Sequence, residues 1–284
     1  MTRRRKKRGG VFMTLFVFFT ATAITTVSIY ASDSLRVPGT SLIAGVFSGT
    51  KSDSRCAPDM IFVDTDSGGY CIDRYEASPA KNCPRNTISG SLDTELNITS
   101  PLCVPESAPG RDPWVYVAVH QAESLCARVG KRLPSNREWY RAGIGTPDSG
   151  DSCVIGRVGA DKAAKTGSAN CLSSSGVSDM IGNVWEWVGE SVSDGALAVP
   201  LPQEGYISEI NDQGVPTRTA TSSDLAFNED YFFIERTGTR GIFRGGFWSM
   251  EEKAGIYTMN VTMSPSFQGG AVGFRCAQSA RPKS

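Results

Sequence analysis

Eight cysteines, and the stretch of chain that precedes them, constrain this 284-residue sequence more than any other feature. They are Cys56, Cys71, Cys83, Cys103, Cys126, Cys153, Cys171 and Cys276. Ahead of them, Arg3 to Arg8 is a run of six bases, and Val11 to Tyr30 is a twenty-residue stretch without a charge. Twenty helical residues span about 30 Å, the thickness of a bilayer core. A basic flank stays in the cytoplasm. The expectation is a cytoplasmic tail at 1–10, a transmembrane signal anchor at 11–30, and a single-pass cell-membrane protein whose remainder is extracytoplasmic. A cleavable signal peptide, with Ala21-Thr22-Ala23 as its small-residue site, is the alternative. Either way the cysteines are exported, and an even number in an oxidising compartment implies four disulfides. Zinc knuckles would need Cys-x-x-Cys pairs, and the sequence has none. Connectivity is open from sequence alone. Nearness and loop size favour Cys56 with Cys71, Cys83 with Cys103 and Cys153 with Cys171, which leaves Cys126 with Cys276.

Formal charge is zero overall, with 29 bases and 29 acids. Without the six bases of the tail, 23 bases face 29 acids, so the exported part is acidic by about six charges. That excludes nucleic acid as a partner, because such binding rests on neutralising phosphates.

Residues 31–55 contain Ser, Gly and one Pro among short apolar runs and are expected to form a stalk. Residues 56–280 suffice for one core. Ala122, Leu125, Cys126 and Val129 fall on one helical face of His120–Val129, and Gly130 stops that helix. Ser135-Asn136-Arg137-Glu138 is a capping box that opens a second helix through Trp139 and Ala142. Met60–Val63 and Gly241–Arg244 are expected strands. Ser191 to Thr239 lacks periodicity and is expected to be a loop excursion. The fold class is α+β.

Five motifs occur in order: Cys71-Ile-Asp-Arg-Tyr-Glu76; Gly130-Lys-Arg-Leu-Pro-Ser135 with Glu138-Trp139; Gly182-Asn-Val-Trp-Glu-Trp187; Phe243-Arg-Gly-Gly246 with Trp248; and Val272-Gly-Phe-Arg-Cys-Ala277. Together they resemble the formylglycine-generating-enzyme (sulfatase-modifying-factor) family, over nearly all of Cys56–Ala277. The resemblance implies a variant of the C-type lectin fold and a bridge between Cys126 and Cys276. The tryptophans of these motifs, with Trp114, are expected as core anchors, each seeking one partner for its N–H. Gly245 and Gly246 are expected to permit close backbone approach or positive φ.

The resemblance also says where chemistry should lie. The family's enzymes hold copper with two cysteines, at positions that are Met250 and Gly255 here. Soft copper needs thiolates, so no copper is expected. A second branch of the fold holds iron with three histidines, and this chain has one, His120. Calcium is the expected structural ion: the family's ligands match Asp179, Gly182, Val184 and Glu186, a hard oxygen set of two carboxylates and backbone carbonyls.

Arg244 to Arg275 further resembles the closing segment of lectin-fold variable proteins, the targets of diversity-generating retroelements. On that frame the exposed, variable-type positions are Met250, Glu251, Glu252, Lys253, Met259, Asn260, Thr262, Phe267 and Gln268, a mixture suited to a paratope-like surface. The implied function is a membrane-anchored binding protein for an unknown protein or cell-surface ligand. A divergent enzyme or accessory protein and a structural cell-surface protein are the alternatives.

Overall fold

The computed structural model describes residues 36–37, 40–41, 55–66 and 68–282. The expected anchor at 11–30 lies outside them, and among the described residues no helix is long and apolar enough to cross a membrane. Within the expected stalk, β1 (Arg36–Val37) pairs antiparallel with β2 (Thr40–Ser41). These strands belong to a unit separate from the one that begins at Ser52.

The second unit opens with β3 (Met60–Val63), β4 (Tyr70–Asp73) and β5 (Ala77–Pro79), followed by α1 (Ser91–Thr99), β6 (Pro105–Ser107), α2 (Val119–Arg128) and α3 (Asn136–Gly143). Then come β7 (Trp185–Ser193), β8 (Gly205–Ile210), β9 (Pro216–Ala220), β10 (Tyr231–Ile234), β11 (Thr239–Arg244), β12 (Met259–Val261), β13 (Val272–Phe274) and β14 (Ala277–Ser279). The described residues are thus mostly β-sheet with few helices. The main sheet has seven strands in the order β13-β7-β11-β12-β10-β8-β9, beside a three-stranded sheet β14-β4-β3 and the pair β5-β6.

The stretch from Ser191 to Thr239 corrects the sequence reading. It is not a loop excursion: β8, β9 and β10 extend the main sheet on one side. Its periodicity is hidden because β10, Tyr-Phe-Phe-Ile, carries large apolar side chains on both faces. Side chains alternate across a strand, so Phe232 is buried while Tyr231 and Phe233 stand half-buried on the opposite face. Helix α1 was also missed, because two of its three apolar residues point outward. Leu92 and Leu96 are exposed, while Thr94 and Asn97 are buried, Thr94 accepting the Trp114 indole N–H and Asn97 bonding the Arg85 backbone.

The other two helices form as read. In α3, Ser135 accepts the Glu138 N–H and Glu138 accepts the Ser135 N–H, which satisfies two of the donors a helix start leaves open. In α2 the buried stripe is Val119, Ala122, Leu125 and Cys126. All four expected disulfides are present: Cys56–Cys71, Cys83–Cys103, Cys126–Cys276 and Cys153–Cys171. The third ties α2 to the end of the chain across a sequence separation of 150.

Candidate functional site

The closing motifs build a rigid frame. Gly245 and Gly246 both take positive φ, 89° and 86°, where a side chain is strained. Each is also crowded: a Cβ on Gly245 would lie 2.8 Å from the Met180 carbonyl oxygen, and one on Gly246 2.4 Å from the Ala254 Cβ. All five tryptophans are buried. Trp114 donates to Thr94, Trp139 to Glu186, Trp187 to the Val117 carbonyl and Trp248 to the Ala160 carbonyl. Trp185 stands at the start of β7 and faces a groove instead.

That groove, about 490 Å³, lies on the outer face of the main sheet. Tyr206, Phe233, Phe247 and Trp185 line it, and Tyr231, outside that lining, joins their rings. Tyr206 on β8 meets Tyr231 on β10 edge-on at 5.1 Å, Tyr231 lies 4.7 Å from Phe233, Phe233 is 6.3 Å from Trp185, and Phe247 stacks on Trp185 at 6.5 Å. The loop after Gly246 forms its wall with Met250, Glu251, Glu252 and Lys253, and Asn260 of β12 closes it. Five of the nine positions expected at an exposed surface therefore meet in one place. Thr262 sits beside them, its hydroxyl donating to Asn260 at 2.7 Å.

The other three do not line the groove. Met259 is wholly buried in the core and is no part of a binding face. The reason is the strand period: with Asn260 outward, Met259 and Val261 must point inward, where they pack with Phe232 and Ile242. Phe267 packs half-buried against the hydrophobic cluster behind α2. Gln268 donates to Gln121 at the start of α2. Sequence reasoning missed Tyr206, Phe233 and Phe247. The one signal was the i, i+2 aromatic pair Tyr231 and Phe233, a period-two pattern within a run with no polar residue.

A second cluster gathers at the centre of the molecule. Arg275, from the Gly-Phe-Arg motif, is fully buried and grips Glu186 of β7 with Nη2 on Oε1 at 2.5 Å and Nε on Oε2 at 2.6 Å. Glu186 Oε2 also accepts the Trp139 indole N–H. Nearby, Asp179 accepts the Gly167 N–H, and Glu76 accepts the Asn183 amide and the Val184 N–H. Burial raises the Asp179 carboxyl to about 6 and pushes Glu76 well above the usual range, with Asp179 and Glu186 adding to the latter. Glu76 is a member of this site that the sequence did not reveal.

The matches to known proteins follow this geometry. Residues 68–280 fit the model of the sulfatase-modifying factor enzyme 1-like domain. The chain belongs to this family. Relatives of the formylglycine-generating-enzyme type include a hercynine oxygenase of Mycolicibacterium smegmatis, 29% identical over 115 residues, which are 36% of this chain and 27% of that protein. The chain therefore matches only about a quarter of that relative's length. Among solved structures, the Major Tropism Determinant M1 variant aligns with a TM-score of 0.46 at 16% identity, over 82% of this chain and 55% of its own. Treponema denticola variable protein 1 aligns at 0.45 and 15%, over 80% and 93%.

Where formylglycine-generating enzymes hold copper, this family member offers no thiolate. Its eight cysteines are all bridged and none is free. At Gly255 no side chain fits: a Cβ would lie 1.8 Å from Asp230 Oδ1. The single histidine, His120, is exposed at the start of α2.

Asp230 takes the room that a residue at 255 would need. Its Oδ2 accepts the Tyr257 and Thr258 N–H groups, while Oδ1 is buried without a partner. Burial first, and the Asp148 charge second, push its carboxyl well above the usual range. Burial raises Asp148 from 3.8 to about 6. Because this folded value exceeds the unfolded one, the native state binds the extra proton. The stabilisation is full below the unfolded value and is lost as pH rises through the folded one. Asp73 and Asp179, raised to about 6 by burial, act in the same sense. The urea midpoint is therefore expected to fall between about pH 4 and 6, and to fall less steeply in Asp148→Asn. Identical pH profiles for the two proteins would show that Asp148 keeps its ordinary acidity.

Proposed function

We propose that this protein is a membrane-anchored, extracytoplasmic ligand-binding protein, built on a formylglycine-generating-enzyme scaffold that has given up the copper chemistry. The observation that carries the reading is the convergence at the groove. Met250 to Lys253 and Asn260, separated along the chain, meet over four aromatic rings, while the glycines and tryptophans next to them are locked into the frame. Surfaces that mix exposed aromatic and polar groups on a stiff support suit recognition. The reading extends to a groove wall that tolerates variation, as in diversified binding proteins. Anchoring rests on Val11 to Tyr30, and exposure to the exterior on the four disulfides.

Calcium is part of the proposal. Glu76, Asp179 and Glu186 bring three carboxyl groups near one buried guanidinium, Arg275. Hard oxygen donors of this kind fit calcium. Among the described residues no three His, Cys, Asp or Glu side chains are grouped to hold a metal. Asp179 and Glu186, with the Gly182 and Val184 carbonyls, would be the whole protein ligand set. Bound there, calcium would supply structural charge balance.

The test is a peptide and glycan array probed with the exported domain. A ligand is expected whose capture is lost in the combined variant Tyr206→Ala, Phe247→Ala, Asn260→Ala and kept in Phe267→Ala, Gln268→Ala, with both variants melting as folded proteins. Capture that survives the first and fails in the second would place binding on the α2 side.

A further inference from the structure

We infer that the groove takes an organic cation, an ammonium or guanidinium group, and that Lys253 is a tethered competitor for it. The inference rests on the groove being the binding site, as proposed above, and adds the class of ligand. Lys253 is exposed, and two carboxylates, Glu251 and Glu252, precede it directly in the chain. Yet its ammonium pairs with no carboxylate among the described residues. It lies over the Tyr231 ring, 4.1 Å from the centroid, and 5.6 Å from that of Tyr206. The aromatic floor thus already holds a cation, one supplied by the chain itself. Ring faces carry negative quadrupole density, and an ammonium over a tyrosine is attracted to it.

The rim adds to this field. Glu251 and Glu252 line the groove, and Glu204, outside that lining, accepts the Tyr231 hydroxyl at 3.4 Å. Against the two carboxylates of its lining the groove contains one base, Lys253. A neutral sugar could stack on the rings and donate hydroxyls to the rim but would gain nothing from its charge. An anion would be repelled by it. A cation gains from both, and it must displace Lys253 to reach Tyr231 and Tyr206. Removing the lysine is therefore expected to improve binding rather than weaken it, which a merely structural role for Lys253 would not do.

The experiment is calorimetric titration of the folded exported domain with tetramethylammonium, N-acetylarginine amide and the neutral methyl glucoside. The proteins are wild type, Lys253→Ala, Lys253→Met and the pair Glu251→Gln with Glu252→Gln, each checked by thermal melt. Both lysine variants are expected to bind at least one cation about threefold or more tightly than wild type. The glutamine pair should bind more weakly, and added salt should weaken all cation binding. Binding of tetramethylammonium alone would point to a quaternary-ammonium headgroup, and of the arginine amide alone to a basic peptide; either supports the inference. Unchanged or weaker cation binding after loss of Lys253 overturns it. Preference for the glucoside also overturns it, while leaving the groove as the binding site. If every probe is silent and the array ligand maps outside the groove, the binding-site reading falls as well.

Discussion

Replacing Cys126 and Cys276 together by alanine is expected to cost about 5 kcal/mol of stability, the largest loss from any single bridge. The bridge spans 150 residues of sequence, and the loop-closure entropy it removes from the unfolded chain grows with loop length. Both cysteines are fully buried, so the variant also loses packing where α2 meets the end of β13. The Cys83–Cys103 bridge spans only 20 residues, and its removal is expected to cost about 3 kcal/mol. Denaturant unfolding of the two double variants gives the comparison. A loss below about 1 kcal/mol for the long bridge would mean that the unfolded chain is already held compact by other contacts.

The next largest effect is expected at Glu186. Its carboxylate is the partner of a buried guanidinium, and Glu186→Ala leaves Arg275 charged and without its ion pair in the interior. Breaking a buried pair from one side typically costs about 3–5 kcal/mol. The Trp139 indole N–H loses its acceptor in the same change. If calcium shares the site, chelation lowers the wild-type melting temperature, by an amount set by how far free calcium exceeds its dissociation constant. Asp179→Asn, which alters one carboxylate and leaves the Arg275 pair intact, should remove that sensitivity. Equal melting with and without chelator would assign charge balance to Arg275 alone.

The disulfide pairing, α2, α3 and the strands β3 and β11 were legible because each has a local or motif-borne signal. Ser135 and Glu138 announce their helix within four residues, and the closing Gly-Phe-Arg-Cys segment carries its partner cysteine by resemblance. What was hidden has physical causes. Helix α1 buries Thr94 and Asn97 and exposes Leu92 and Leu96, the reverse of the usual pattern. Strand β10 is apolar on both faces, so nothing contrasts along it. Strand β12 has three residues, too few to fix its register, and a shift of one residue separates buried Met259 from outward Asn260. Arg275 and Glu186 are 89 residues apart, and Glu76 meets Asn183 across 107. No local pattern in the sequence links such partners.

In the proposed reading, the closing segment divides into a frame that folding requires and a groove wall that folding tolerates. Two saturation libraries displayed on cells test it, with protease resistance as the measure of folding. One covers residues 250–253 and 260; the other covers Gly245, Gly246, Trp248, Gly273 and Phe274. Glu251, Glu252 and Lys253 are exposed, where substitutions usually cost within about 0.5 kcal/mol, and Met250 and Asn260 are half-buried, so most members of the first library should remain resistant. The second should be almost wholly sensitive, since its glycines sit against neighbouring atoms and its rings are buried. Equal loss of resistance in the two libraries would make the groove wall part of the core, and the division into frame and wall would be wrong.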